Sequence, residues 1–244
     1  MNKLIHRSDE RGIANHSWLN SRFSFSFANY YNPKRMGFGK LIVLNDDEIA
    51  ANSGFGAHQH DNMEIITIPT EGILSHKDST GSEGDIKSGE IQVMSAGSGI
   101  VHSEYNRTNN IVKLFQIWIK TRKFNAIPRH ETKKLNLEDN KLNKIVSGNN
   151  NDDNLYIHQD AKIYLGKFKE NKKEILKIGK DKGIFLMVVE GSVKINNEIL
   201  NRRDSIEISE INKIDINIDK NSEILIIEVP LEEWKRKYTI MQLI

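Results

Sequence analysis

Short stretches in which every second residue is apolar recur along the whole chain, broken by Gly, Asn and Asp, and leave almost no room for helical periodicity. Arg22-Phe23-Ser24-Phe25-Ser26-Phe27 puts its phenylalanines on one face of a half-buried strand. Residues 39–44 read as a buried strand ending at the turn-prone Asn45-Asp46-Asp47. Residues 64–69 form the next strand, Glu71-Gly72 turns the chain, and residues 73–77 lead into a loop over 78–84. Strands follow at 90–94 and 112–120. Many short strands at regular spacing fold as a β-sandwich or barrel, so the class is all-β.

The pattern then pauses and resumes. Residues 133–154 are rich in Lys, Asn and Asp and read as a linker, with Lys144-Ile145-Val146 as a possible strand inside it. Beyond it, strands are expected at 155–158, 163–168, 174–178, 185–189, 192–195, 205–208, 214–218 and 224–229. The expected division is an N-terminal unit over 1–132 and a C-terminal unit over 155–244. Residues 65–69 followed by Glu71-Gly72 are echoed by residues 185–189 followed by Glu190-Gly191, a faint internal repeat that suggests two copies of one barrel. No histidine follows His158, so the second copy lacks the means to rebuild a histidine site. Leu231, Trp234 and Tyr238, spaced by three and four, predict a short amphipathic helical piece at the C-terminus, with Lys235-Arg236-Lys237 as a solvated face.

Composition narrows the class of partner. The formal charge of +2 over 244 residues gives no nucleic-acid footprint. Absence of cysteine excludes disulfides and thiolate metal sites and suits a reducing compartment. No apolar run approaches the roughly 20 residues that cross a bilayer, and the first residues do not read as a signal peptide. A soluble, cytoplasmic monomer is the expectation.

The chemistry concentrates in residues 54–106. Alternate side chains of a strand share a face, so His58 and His60 point the same way, and so do His102 and Glu104. Pairing those two strands, faces inward, gathers three imidazoles and a carboxylate, a set suited to a divalent transition metal. Glu64 is the rival carboxylate: four residues after His60, it shares the histidine face if the strand stays regular. Gly97 and Gly99 supply a bend before His102. His76 reads as a loop-packing residue, and His6, His16, His130 and His158 have no partners at ligand spacing.

Residues 94–104, Met94-Ser95-Ala96-Gly97-Ser98-Gly99-Ile100-Val101-His102-Ser103-Glu104, resemble the pirin family of the cupin superfamily, and so does His58-Gln59-His60 with Glu64 after it. Gln116-Ile117-Trp118-Ile119, Pro128-Arg129 and residues 155–161 extend the likeness to bacterial pirin-like quercetin 2,3-dioxygenases over nearly the whole chain. The resemblance implies a bicupin, two packed antiparallel β-barrels of jelly-roll type with one metal in the first. It implies His58, His60, His102 and Glu104 as ligands, with Glu64 at the glutamate of the general cupin motif. Gln59 stands where pirins often have proline. The implied activity is flavonol cleavage by dioxygen with release of carbon monoxide, Glu104 or Glu64 taking the substrate proton. Iron is the first expectation for the metal, with Zn, Ni, Mn, Co or Cu open, and Phe55 and Met63 are expected near the mouth. The alternative is a non-catalytic metal- or redox-sensing protein acting through protein partners. A third cupin chemistry, isomerisation or decarboxylation of a small acid, ranks last because no Arg or Lys stands at ligand-like spacing.

Overall fold

The structure is a computed structural model that describes residues 1–151 and 153–231. Each half of the chain builds one seven-stranded and one four-stranded sheet. In the first half the large sheet runs, edge to edge, Arg129–Lys134, Glu90–Ser95, Met63–Glu71, Val112–Lys120, Leu41–Ile49, Leu19–Phe23, Gly12–Asn15. Its small sheet runs Ser53–His60, Ile100–Asn106, Ile73–Asp78, Glu83–Lys87. The second half repeats the plan. Its large sheet is Asn2–His6, Ser205–Ser209, Lys182–Glu190, Ser222–Pro230, Lys162–Phe168, Lys141–Ser147, Leu155–Tyr156. Its small sheet is Lys172–Lys177, Lys213–Ile218, Ser192–Ile195, Glu198–Asn201. The repeated strand-Glu-Gly turn occupies equivalent places, Gly72 and Gly191 sharing φ near +80° (80° and 78°).

Alternation explains how the halves join. Along Val112–Lys120, Phe115, Ile117 and Ile119 face a core shared with Phe185, Met187, Leu225 and Ile227 of the other half. The intervening Leu114, Gln116 and Trp118 face the inside of the first barrel, where Leu114 joins Ile49, Leu74 and Ile86. Lys182–Glu190 divides likewise. Phe185 and Met187 go to the shared core, whereas Ile184, Leu186 and Val188 fill the second barrel. In that second barrel the strands equivalent to the histidine strands bring Leu176, Ile214 and Ile216 inward, so hydrocarbon sits where the first barrel is polar.

Several expectations shift. Asn45-Asp46-Asp47 lies inside Leu41–Ile49 and does not end it. Ser21 donates to the buried Asp47, Arg11 and Arg203 neutralise Asp46, and pairing on both edges outweighs local turn preference. The phenylalanine strand stops at Phe23; Phe25 then crosses to pack at a tilt on Phe185, while Phe27 packs on Phe23 and Trp118. Sheet membership also differs from the expected division at 132 and 154. Lys141–Ser147 already belongs to the second half's sheet, and Asn2–His6 extends that sheet from the far end of the chain. Asn2–His6 is an edge strand, and Lys141–Ser147 is covered on its outer side only by the two-residue Leu155–Tyr156; the lysines and asparagines of both hide the strand signal. Of the expected C-terminal helical piece, only Leu231, buried in the shared core, is described; Trp234, Tyr238 and Lys235-Arg236-Lys237 lie outside the described residues. Among the described residues the helical structure is a single 3-10 turn, Ser8–Glu10, and no helix is long and apolar enough to cross a membrane.

Candidate metal centre

Antiparallel pairing of Ser53–His60 with Ile100–Asn106 puts His58 directly opposite His102. An irregularity in register follows between His102 and Glu104, so that Glu104 faces Phe55. On its other edge Ile100–Asn106 meets Ile73–Asp78, with Asp78 opposite His102 and His76 opposite Glu104. The bend that starts this strand depends on Gly97, whose φ of +52° favours glycine and whose missing Cβ leaves room for the Ala126 carbonyl.

The imidazoles converge. Ring centroids of His58 and His102 lie 4.4 Å apart, His58 and His60 4.8 Å, and His60 and His102 4.9 Å. The ligand atoms of His58, His60 and His102 all lie within 4.8 Å of one another, as do those of His76, His102 and Glu104. His58 Nδ1 is 2.7 Å from the Gly56 carbonyl, so that nitrogen carries the proton and Nε2 keeps its lone pair. His60 Nε2 and both nitrogens of His102 are buried without a hydrogen-bond partner. Unpaired nitrogens in such number are costly unless something else takes the lone pairs.

Electrostatics favour neutral donors. Desolvation, reinforced by His58, lowers the His60 pKa to about 4. Desolvation together with His58 and His60 lowers His102 to about 3. Both rings are therefore unprotonated near neutrality, as a metal ligand must be. Burial pushes the Glu104 carboxyl above the ordinary carboxylate range, against the opposing hydrogen bond from Gln116. Gln116 Nε2 donates to Glu104 Oε2 at 2.8 Å, and Thr67 Oγ1 lies 3.2 Å from Oε1. The donor set fits one divalent metal: three lone-pair nitrogens converge from two strands, with a buried carboxylate beside them.

Glu64 belongs to neither group. The chain turns at Asn62, φ +47°, between the small and the large sheet, so parity does not carry over from His60. Glu64 instead accepts a hydrogen bond from Ser95 Oγ at 2.6 Å. His76 is mid-strand, 2% exposed and inside the site, not a loop residue. Its inward parity with Leu74 and Asp78 was the available signal, masked by the loop that follows. His130, which has no partner at ligand spacing in the sequence, places Nδ1 3.2 Å from Asp78 Oδ2. Of the remaining histidines, His6 lies with Arg35 and Glu207 where the halves meet, and His158 sits against Tyr156. Trp118 packs edge-on to His60 at 4.7 Å, Phe55 edges His58 at 6.5 Å, and Met63 packs, as Trp118 does, against the cluster of Ile65, Met94, Ala96 and Ile100. Gln116, Thr67 and Trp118 come from the large sheet; Gln116 and Trp118 stand in a segment that carries the family likeness, but strand periodicity does not assign them to the site.

Comparison with known proteins agrees with this architecture. The Pirin family profile matches residues 6–119, and that of the quercetinase C-terminal cupin domain matches 144–229. The chain is 39% identical to quercetin 2,3-dioxygenase of Escherichia coli K12 over 93% of this chain and 98% of the relative. It is also 39% identical to a pirin-like protein of Caulobacter vibrioides, over 90% and 96%. The crystal structure of the bacterial pirin YhhW from Escherichia coli in complex with nickel(II) superposes with a TM-score of 0.89 at 37% identity, covering 94% of this chain and 99% of that one. With relatives matched along nearly their full length and both cupin halves present, the chain belongs to the pirin family and is a bicupin.

Proposed function

We propose that the protein is a metal-dependent dioxygenase that opens the heterocycle of flavonols such as quercetin, with His58, His60, His102 and Glu104 holding one divalent transition metal. The observation that carries this reading is the set of buried, neutral and unpartnered imidazole nitrogens on one inner face of the first barrel. Relatives named quercetin 2,3-dioxygenase support the substrate class. Iron remains our first assignment, with Zn, Ni, Mn, Co and Cu compatible with the same donors.

When bound, the metal supplies a Lewis-acid position that favours the oxyanion of the flavonol 3-hydroxyl and its reaction with dioxygen. Glu104 is the group that would accept the hydroxyl proton: burial raises its proton affinity, and its carboxylate lies within 4.8 Å of the His102 ligand atom. Gln116 and Thr67 hold that carboxylate in place. Glu64, committed to Ser95, is left out of proton transfer. Trp118 and Phe55 supply apolar surface beside the histidines that would exclude water from the reacting substrate. Overall, one flavonol and one dioxygen give the ring-opened ester and one carbon monoxide. Aerobic incubation of the metal-loaded protein with quercetin tests this. Loss of flavonol absorbance with carbon monoxide release is expected, abolished in His102→Ala; neither change in the wild type would overturn the activity.

A further inference from the structure

Three buried nitrogens of two neighbouring rings have no partner: both of His102 and Nδ1 of His76. If one His102 nitrogen faces a metal, the other carries a proton and needs an acceptor. His76 offers one. Its Nε2 lies 2.9 Å from Asp78 Oδ2, so Nε2 holds the proton and Nδ1 is left as a lone pair. The two ring centroids are 5.4 Å apart with a tilt of 48°. Imidazoles joined end to end by an N–H···N hydrogen bond space their centroids by about 5 Å, so a small rotation of either ring closes the contact.

The far side of His76 is built to hold that tautomer. Asp78 Oδ2 faces both His76 Nε2 and His130 Nδ1, the latter at 3.2 Å. Asp78 Oδ1 accepts from the Thr80 amide at 2.8 Å and from its hydroxyl at 2.5 Å. Every lone-pair direction of the carboxylate is thus engaged, and it cannot swing away. His130 comes from the edge strand Arg129–Lys134 of the large sheet, so Asp78 also ties the two sheets at the rim.

We propose that His76, Asp78 and His130 form a hydrogen-bonded chain that positions His102 as a metal ligand, with His76 Nδ1 accepting from the His102 ring N–H turned away from the metal. All three are positioning residues. The chain fixes which His102 nitrogen is free to coordinate, holds the ring plane, and makes the ligand more basic. The ligand role of His102 comes from the function proposed above, whereas the proposed hydrogen bond needs only a rotation of the rings and no metal, so it is expected in the metal-free protein as well.

The two claims separate experimentally. In the metal-free full-length chain labelled with 15N-histidine, NMR is expected to show His76 as the Nε2–H tautomer with a hydrogen-bonded Nδ1. An Nδ1–H or doubly protonated His76 would overturn the proposal whether or not metal binds. Nickel(II) affinity by chelator competition then reads the consequence. His76→Phe fills the space without an acceptor and should weaken binding by about 10- to 100-fold, and Asp78→Asn by about 10-fold. His76→Asn sets an oxygen near the place of Nδ1 and should stay within about threefold of wild type. Unchanged affinity in both His76→Phe and Asp78→Asn, or equal losses in His76→Phe and His76→Asn, would refute positioning. Absence of nickel binding by the wild type would instead refute the metal reading and leave the tautomer result to decide the hydrogen bond.

Discussion

Replacing Gln116 by Met tests whether Glu104 is the carboxylate that competes between a proton and the metal. Gln116 is 8% exposed, and its Nε2 donates to Glu104 Oε2 at 2.8 Å. A hydrogen bond to a charged group contributes roughly 1.5–3 kcal/mol. Met keeps the length and loses the donor. Thr67 now lies 3.0 Å from Gln116 Oε1 as well as 3.2 Å from Glu104 Oε1; in the variant its single proton is free for Glu104. That partial rescue points to the lower end, about 1.5–2 kcal/mol, or about 10- to 30-fold. The sign follows from which forms lose the bond. Ionised Glu104 loses it equally with and without metal, while protonated Glu104 loses little, so the variant's carboxyl pKa rises further above its already raised position. The loss of nickel affinity is therefore full at acidic pH, where the proton competes, and disappears once pH exceeds the variant's carboxyl pKa. Histidine protonation affects both proteins alike and cancels in the ratio. Chelator competition at a series of pH values from acidic to alkaline measures it. A deficit that stays constant as pH rises would refute the assigned role of Glu104.

The metal-free protein should lose stability in acid. His102 and His60 sit at about 3 and about 4 when folded against an ordinary 6.5, so their contribution is present above pH 6.5 and lost as pH falls through those values. Urea unfolding between pH 6 and 4 should show a slope reduced by up to about 1.4 kcal/mol per pH unit in His102→Asn; an unchanged slope would count against the neutral, desolvated ring. Phe185→Ala, at a fully buried ring packed at a tilt 5.6 Å from Phe25 across the two halves, should cost about 3–5 kcal/mol and lower the melting temperature by about 10 °C, read by calorimetry. Gly97→Ala must accept φ +52° and a contact with the Ala126 carbonyl; about 1–3 kcal/mol of destabilisation is expected in thermal melts, and a neutral result would show that the bend relaxes freely.

Much of the site lay open in the order of residues because strand periodicity is a local property. His58 and His60, two apart, share a face wherever the segment is extended, and the same holds for His102 and Glu104. The Gly97 bend, the alternation of residues 112–120 and the repeated strand-Glu-Gly turn are equally local. Misreadings arose where distant chain decided the outcome. Asn45-Asp46-Asp47 has the composition of a turn, yet strands on both sides recruit its backbone and Ser21, Arg11 and Arg203 engage its two carboxylates. Glu64 keeps the parity of His60 on paper, but one left-handed residue at Asn62 sends it to another sheet.

Residue order alone therefore settles that this chain makes paired strands and that imidazoles can face one another, since both follow from a two-residue period and the chemistry of the side chains. Which strands are neighbours is decided by long-range packing. Only the folded barrel sets His76 against His102, brings Gln116 and Trp118 across from the opposite sheet, and lays Asn2–His6 on the far half. Those contacts join residues from a dozen to about two hundred positions apart, and their energy comes from burying shared apolar surface, which no local pattern records.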